Sequence, residues 1–124
     1  MPAFAQVPVE ITFAWDASSD DTRDPASRNP VKYRIYTSAA APVDGAIPEG
    51  AGGHEAGTAL ELMVPLAAGS YYVFATCYWC AVISDGACSG TAAVESGLSN
   101  VLRLLVQVPP GNPQNYRVRI TGIP

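Results

Sequence analysis

The sequence predicts an all-β protein folded as an antiparallel β-sandwich, and three observations carry that expectation. Short segments alternate apolar and polar residues with period two. Eleven glycines and eleven prolines punctuate them as turns. No segment repeats its apolar residues at the helical period, so helix content should be small. At 124 residues the chain fits one domain, long enough to bury roughly two-thirds of its unfolded surface. Apolar residues make up 48% and charged residues 15%, the composition of a folded chain and not of a disordered one.

The first strand spans residues 9–15, with Val9, Ile11, Phe13 and Trp15 on one face and Glu10, Thr12 and Ala14 on the other. Residues 16–30 form a polar, proline-punctuated loop. Over residues 31–37 Val31, Tyr33 and Ile35 share one face, against Lys32, Arg34 and Tyr36. Residues 38–58 read as a long Ala/Gly/Pro-rich loop with room for a short edge strand. Residues 59–64 are a strand of two competing registers, one built on Leu60, Leu62 and Val64 and one on Met63 with Leu66. Residues 71–79 follow, with Tyr72, Phe74, Thr76 and Tyr78 on one face. After a loop over 81–97, residues 98–108 make the last long strand, with Leu102, Leu104, Val106 and Val108 inward. By general burial tendencies the expected core anchors are Trp15, Tyr33, Ile35, Tyr72 and Phe74.

Four pieces occur in a telling order: Phe13-Ala14-Trp15-Asp16-Ala17-Ser18, Tyr33-Arg34-Ile35-Tyr36, the run from Leu66 through Tyr78 with its turn glycine and tyrosines, and the run from Glu95 through Asn100. Together they resemble fibronectin type III domains, immunoglobulin-like sandwiches found in bacterial and phage proteins. The resemblance covers residues 7–108 and implies a domain over 1–108 followed by an arm over 109–124. It departs from the family at both ends. The proline-rich opening strand has only Met1 to Gln6 available, whereas a similar segment follows the domain. There Tyr116, Val118 and Ile120 alternate with Arg117 and Arg119. Three placements are open for this segment: completing its own sheet, leading to a further domain, or adding a strand to a neighbour. Tyr116, Val118, Ile120 and Trp79 are accordingly candidate partner contacts.

Cys77, Cys80 and Cys88 are the sharpest local chemistry. Redox CxxC motifs sit at helix N-termini, and this one ends a strand. Zinc wants four ligands, and His54 lies on a distant loop. A Cys80–Cys88 disulfide is the favoured pairing, stabilising by roughly 2–3 kcal/mol through loop closure, with Cys77 left as an outward or interfacial thiol. Cys77–Cys88 pairing and three reduced cysteines remain alternatives. Asp16, Asp20, Asp21 and Asp24 could bind a hard cation, but their spacing is not that of a calcium loop, and a solvated turn is the simpler expectation. No metal or other cofactor is expected.

No GxSxG or phosphate-cradling GxxxxGK[ST] run occurs, and one histidine leaves acid–base work to carboxylates that are not paired on facing strands. No enzyme is expected. The formal charge of −4 and the lack of a basic cluster speak against nucleic acid, and no run approaches the ~20 apolar residues of a membrane span. Residues 1–9 lack a basic n-region and a continuous apolar stretch, so no cleaved secretory signal is expected there. The leading expectation, carried by the resemblance, is a structural protein of a virion: a capsid or tail decoration domain whose partners are other structural proteins or copies of itself. The alternatives are a subunit of an extracellular or cell-surface assembly joined by strand exchange, and a carbohydrate- or host-binding module with Tyr36, Tyr71 and Trp79 as a stacking platform.

Overall fold

Strand β1, Val9–Trp15, alternates buried and outward residues without a break, because every second side chain is large and apolar. It lies in a computed structural model that describes residues 8–23, 29–85, 87–90, 93–107 and 116–123. The further elements are β2 (Lys32–Ser38), β3 (Gly52–Gly57), β4 (Glu61–Leu66), β5 (Gly69–Cys80), β6 (Ile83–Ser84), β7 (Ala87–Cys88), β8 (Ala93–Glu95), β9 (Leu102–Val106) and β10 (Tyr116–Ile120). The described residues contain no helix.

Two sheets pack face to face. The smaller has the order β10-β1-β4, and the larger runs β3-β2-β5-β8, with β9 also pairing β5. Strands β6 and β7 form a separate small hairpin. Between the sheets lie Val9, Ile11, Phe13 and Trp15 of β1, Val64 and Leu66 of β4, and Tyr33 and Ile35 of β2, with Val73, Ala75 and Cys77 of β5. Trp15 and Tyr33 pack with ring centroids 5.8 Å apart. The register of β4 is settled by Val64 and Leu66 turning inward while Met63 stays 53% exposed.

Two expected core anchors are on the other side of the large sheet. Tyr72 and Phe74 share a face with Thr76 and Tyr78, but the β5 residues in the core are their neighbours Val73, Ala75 and Cys77. The bulk of the core comes from the aromatic and branched residues of β1 and β2, so β5 fits against them with small side chains. Phe74 is nonetheless fully buried, under the Tyr36 ring stacked on it at 5.4 Å on the outer face. Cys77 is likewise buried and not outward.

The last long strand expected over 98–108 is shortened to β9, and the loop expected over 81–97 contains a further strand, β8. Glu95 of β8 sits opposite Tyr78, and Leu102 of β9 sits opposite Val73. Five steps along β5 are therefore matched by seven along its partner, a bulge of two extra residues. Serines bridge the gap. Ser96 donates its backbone N–H to the Cys77 carbonyl (2.8 Å) and accepts from the Cys77 N–H through its hydroxyl (3.0 Å). Ser99 does the same for Ala75, at 2.8 Å for both bonds. Side-chain oxygens stand in where the ladder would leave buried amides unpaired.

The C-terminal segment completes its own sheet. Strand β10 pairs with β1 from Ile11↔Tyr116 to Trp15↔Ile120, and the pairing is parallel. A first strand joined to β1 by a tight turn would run antiparallel, so β10 fills that edge in the opposite sense. Ile120, expected as a partner contact, is instead fully buried in its own core, and the partly buried Val118 packs against that core. Tyr116 contributes its backbone to the ladder, and its side chain lies outside the described residues. So do Val108 and the division proposed there between domain and arm. On the outward face Arg117 and Arg119 reach over the short side chains of β1 to ion pairs with Glu61 and Asp16.

Candidate functional site

Two surfaces of the large sheet concentrate functional groups. The first is its outer face. Arg34, near the start of β2, faces Glu55 of β3 and Thr76 of β5 in the ladder. Its Nε pairs with Glu55, and its Nη1 donates to Glu95 Oε2 of β8 at 2.9 Å. Glu95 also accepts from the Tyr36 hydroxyl (2.9 Å) and from Thr76 Oγ1 (3.0 Å). The guanidinium stands 4.6 Å from the centre of the Tyr78 ring, whose hydroxyl donates to Glu55. Room for this layer comes from Gly53, where a Cβ would sit 3.4 Å from the Tyr36 ring and 3.5 Å from Arg34 Cδ. Further along the same face Arg103 lies 6.0 Å from the Tyr72 ring centre.

The electrostatics of this layer hold each group in its resting form. Burial, and after it hydrogen bonding to carboxylates, raises the Tyr36 and Tyr78 hydroxyls above the ordinary tyrosine value, Arg34 partly opposing. Burial would lower Arg34, yet its bonds to Tyr36 and Glu55 raise it overall. Burial would raise the Glu55 carboxyl, but the Tyr78 and Arg34 hydrogen bonds bring it below the usual carboxylate value. Each shift carries its group further from titrating near neutral pH, which suits the layer to holding shape and charge.

The second surface is the end of β5. Trp79 pairs across the sheet with Val94 of β8, and both are well exposed. Val82 and Ile83, which follow Cys80 and Ala81 in the chain, are exposed as well. Cys80 and Cys88 are joined by a disulfide across a sequence separation of 8 residues, which ties the β6–β7 hairpin to the sheet. Asn29 supports the same point by accepting from the Cys80 N–H at 2.8 Å. A cleft of 340 Å³ opens beside Trp79, reaching Val31, Cys77 and the loop after β1.

Tyr36, Tyr71 and Trp79 do not form one platform. Tyr36 lies on the outer face against Phe74, while Tyr71 and Trp79 belong to the opposite face of β5 and sit at its two ends. The four-aspartate loop is also divided. Asp21 accepts the Tyr33 hydroxyl (2.6 Å) and pairs with Arg23 (3.3 Å), Asp16 pairs with Arg119, and Asp24 lies outside the described residues. Arg34, Glu55 and Glu95 were not singled out as site residues by sequence reasoning. Their partners lie on other strands, at separations such as 61 residues between Arg34 and Glu95, so no local spacing reveals them.

Comparison with protein-family models, with curated proteins and with solved structures finds no match to this chain.

Proposed function

We propose that this chain is a structural, non-enzymatic component of a virion, a capsid or tail accessory domain that docks on another structural protein through the Trp79 end of its large sheet. The observation that carries the docking is the exposed apolar set Trp79, Val82, Ile83 and Val94, held in place by the Cys80–Cys88 disulfide. Apolar side chains gathered at one rigid, cross-linked end, rather than scattered singly, are what a protein interface requires. The choice of a virion comes from the resemblance to phage fibronectin type III domains. The fold part of that resemblance draws support from the strand partition, with β1 and β4 beside β10 in one sheet and β3, β2, β5, β8 and β9 in the other.

Mass spectrometry and imaging of purified particles test the reading. The chain should be found at regular positions, and a folded Trp79→Glu variant should fail to join them. A chain absent from particles and monomeric in solution would end it.

A further inference from the structure

The cleft beside Trp79 has the chemistry of a receptor for one side chain. Its 340 Å³ lies at the small end of ligand sites, which run about 300–1,000 Å³. Val31, Cys77, Trp79 and Val94 give it apolar walls, and Ser18 and Asp20 reach it from the loop after β1. The Glu95 carboxylate, though near, is turned to the outer face and held there by Arg34, Tyr36 and Thr76. Asp20 differs from its neighbour Asp21. Asp21 is tied to Tyr33 and Arg23, whereas the exposed Asp20 carboxylate has no partner among the described residues.

A partly exposed indole, aliphatic walls and an unpaired carboxylate in one cleft are complementary to a cation on an apolar stem. We propose that this cleft receives an arginine side chain from the partner protein. The stem lies against Val31 and Val94, and the guanidinium meets the Trp79 ring and the Asp20 carboxylate. Arginine suits it better than lysine, because a planar guanidinium both stacks on an indole and bonds a carboxylate with two parallel donors. The acidic balance of the whole chain, −4, favours the approach of a basic partner. The inference rests on the reading that this end of the sandwich docks, and it names the chemistry of what docks there.

The test uses the intact, oxidised chain and three capped tripeptides, acetyl-Gly-X-Gly-amide, with X arginine, lysine or the uncharged norleucine. The indole N–H resonance of Trp79 is followed by NMR, with that of the buried Trp15 as internal reference. The arginine peptide should shift Trp79 and leave Trp15 in place, with saturation in the millimolar range. Norleucine should bind about tenfold more weakly, and Asp20→Asn should weaken arginine binding several-fold while leaving the spectrum of the fold unchanged. Norleucine binding as well as arginine, lysine equalling arginine, an indifferent Asp20→Asn variant, or no response to arginine would each overturn the assignment. Because the peptides are read on the isolated chain, a cleft that binds arginine in a protein missing from particles would defeat the proposed function alone. A chain found in particles with an unresponsive cleft would defeat this inference alone.

Discussion

The Arg34 guanidinium and the Glu95 carboxylate meet at 2.9 Å across the outer face of the large sheet, although 61 residues separate them in the chain. Glu95 ends β8, a strand of three residues, and its carboxylate also takes the hydrogens of Tyr36 and Thr76. Three donors converge on one side chain that is about one-quarter exposed, at 26%. A strand so short gains little from its ladder, so these bonds fix β8 and with it the entry to the bulge. Glu95→Ala should destabilise the fold by about 2–3 kcal/mol, since the fully buried Thr76 hydroxyl and a half-buried guanidinium lose their acceptor. Glu95→Gln should lose less. Denaturant unfolding of the two variants checks the order, and an Ala variant as stable as the parent refutes it.

Hydroxyl protons of three tyrosines are retained in the fold beyond their ordinary value of 10.0. Burial is the largest cause for each, reinforced by hydrogen bonding to Asp21 for Tyr33, to Glu95 for Tyr36 and to Glu55 for Tyr78. The unfolded chain releases these protons near pH ~10 while the folded chain keeps them, so stability is intact below that value and falls as pH rises above it. The thermal unfolding midpoint should therefore fall on the alkaline side. A Tyr33→Phe variant should show a shallower alkaline decline, together with a loss of about 1 kcal/mol at neutral pH from the bonds to Asp21 and Ser18. An alkaline slope identical to that of the parent counts against this account.

Legibility differed sharply between strands, for physical reasons. Strand β1 reads directly because its inward residues are all large and its outward ones polar or small. Strand β5 misleads because both of its faces are apolar, and the aromatic row Tyr72, Phe74, Tyr78 outweighs Val73, Ala75 and Cys77 in any reading by bulk. Yet the core, already filled by Phe13, Trp15 and Tyr33, takes the smaller row. The periodicity of β10 was visible, whereas its partner and parallel sense depend on the sandwich having an open edge beside β1. The Arg34 layer was hidden because only the pairing of β2, β3, β5 and β8 brings its residues together, and the Trp79 cleft because it joins β5 and β8 to Val31 and the loop after β1.

Reduction of the Cys80–Cys88 bond should loosen the docking end without unfolding the sandwich. The bridge closes a loop of sequence separation 8, worth about 2–3 kcal/mol by the chain-entropy argument. Its hairpin β6–β7 joins the rest of the described strands through this bridge and the chain ends, not through a shared ladder. A Cys80→Ser, Cys88→Ser double variant should lose stability of that size and gain fast hydrogen exchange over residues 82–88, with β1 and β2 protection kept relative to global stability. Exchange at 82–88 equal to that of the parent would show that the hairpin is held by something other than the disulfide.

Ile120 offers the sharpest separation between a strand that belongs to this fold and one lent to a neighbour. It lies opposite Trp15 in the parallel ladder and is fully buried in the core of its own chain. If β10 is integral, Ile120→Ala should cost about 2–5 kcal/mol through lost burial and a residual cavity, and the loss should be independent of protein concentration. Removing residues 116–124 should do more, since it also uncovers the edge of β1, whose unpaired N–H and C=O groups invite pairing between molecules. Aggregation on truncation is then the expected outcome, in contrast to a clean, folded monomer. Were β10 to serve a neighbour instead, its removal would leave the domain stable and abolish only assembly, and Ile120→Ala would show a midpoint that moves with concentration.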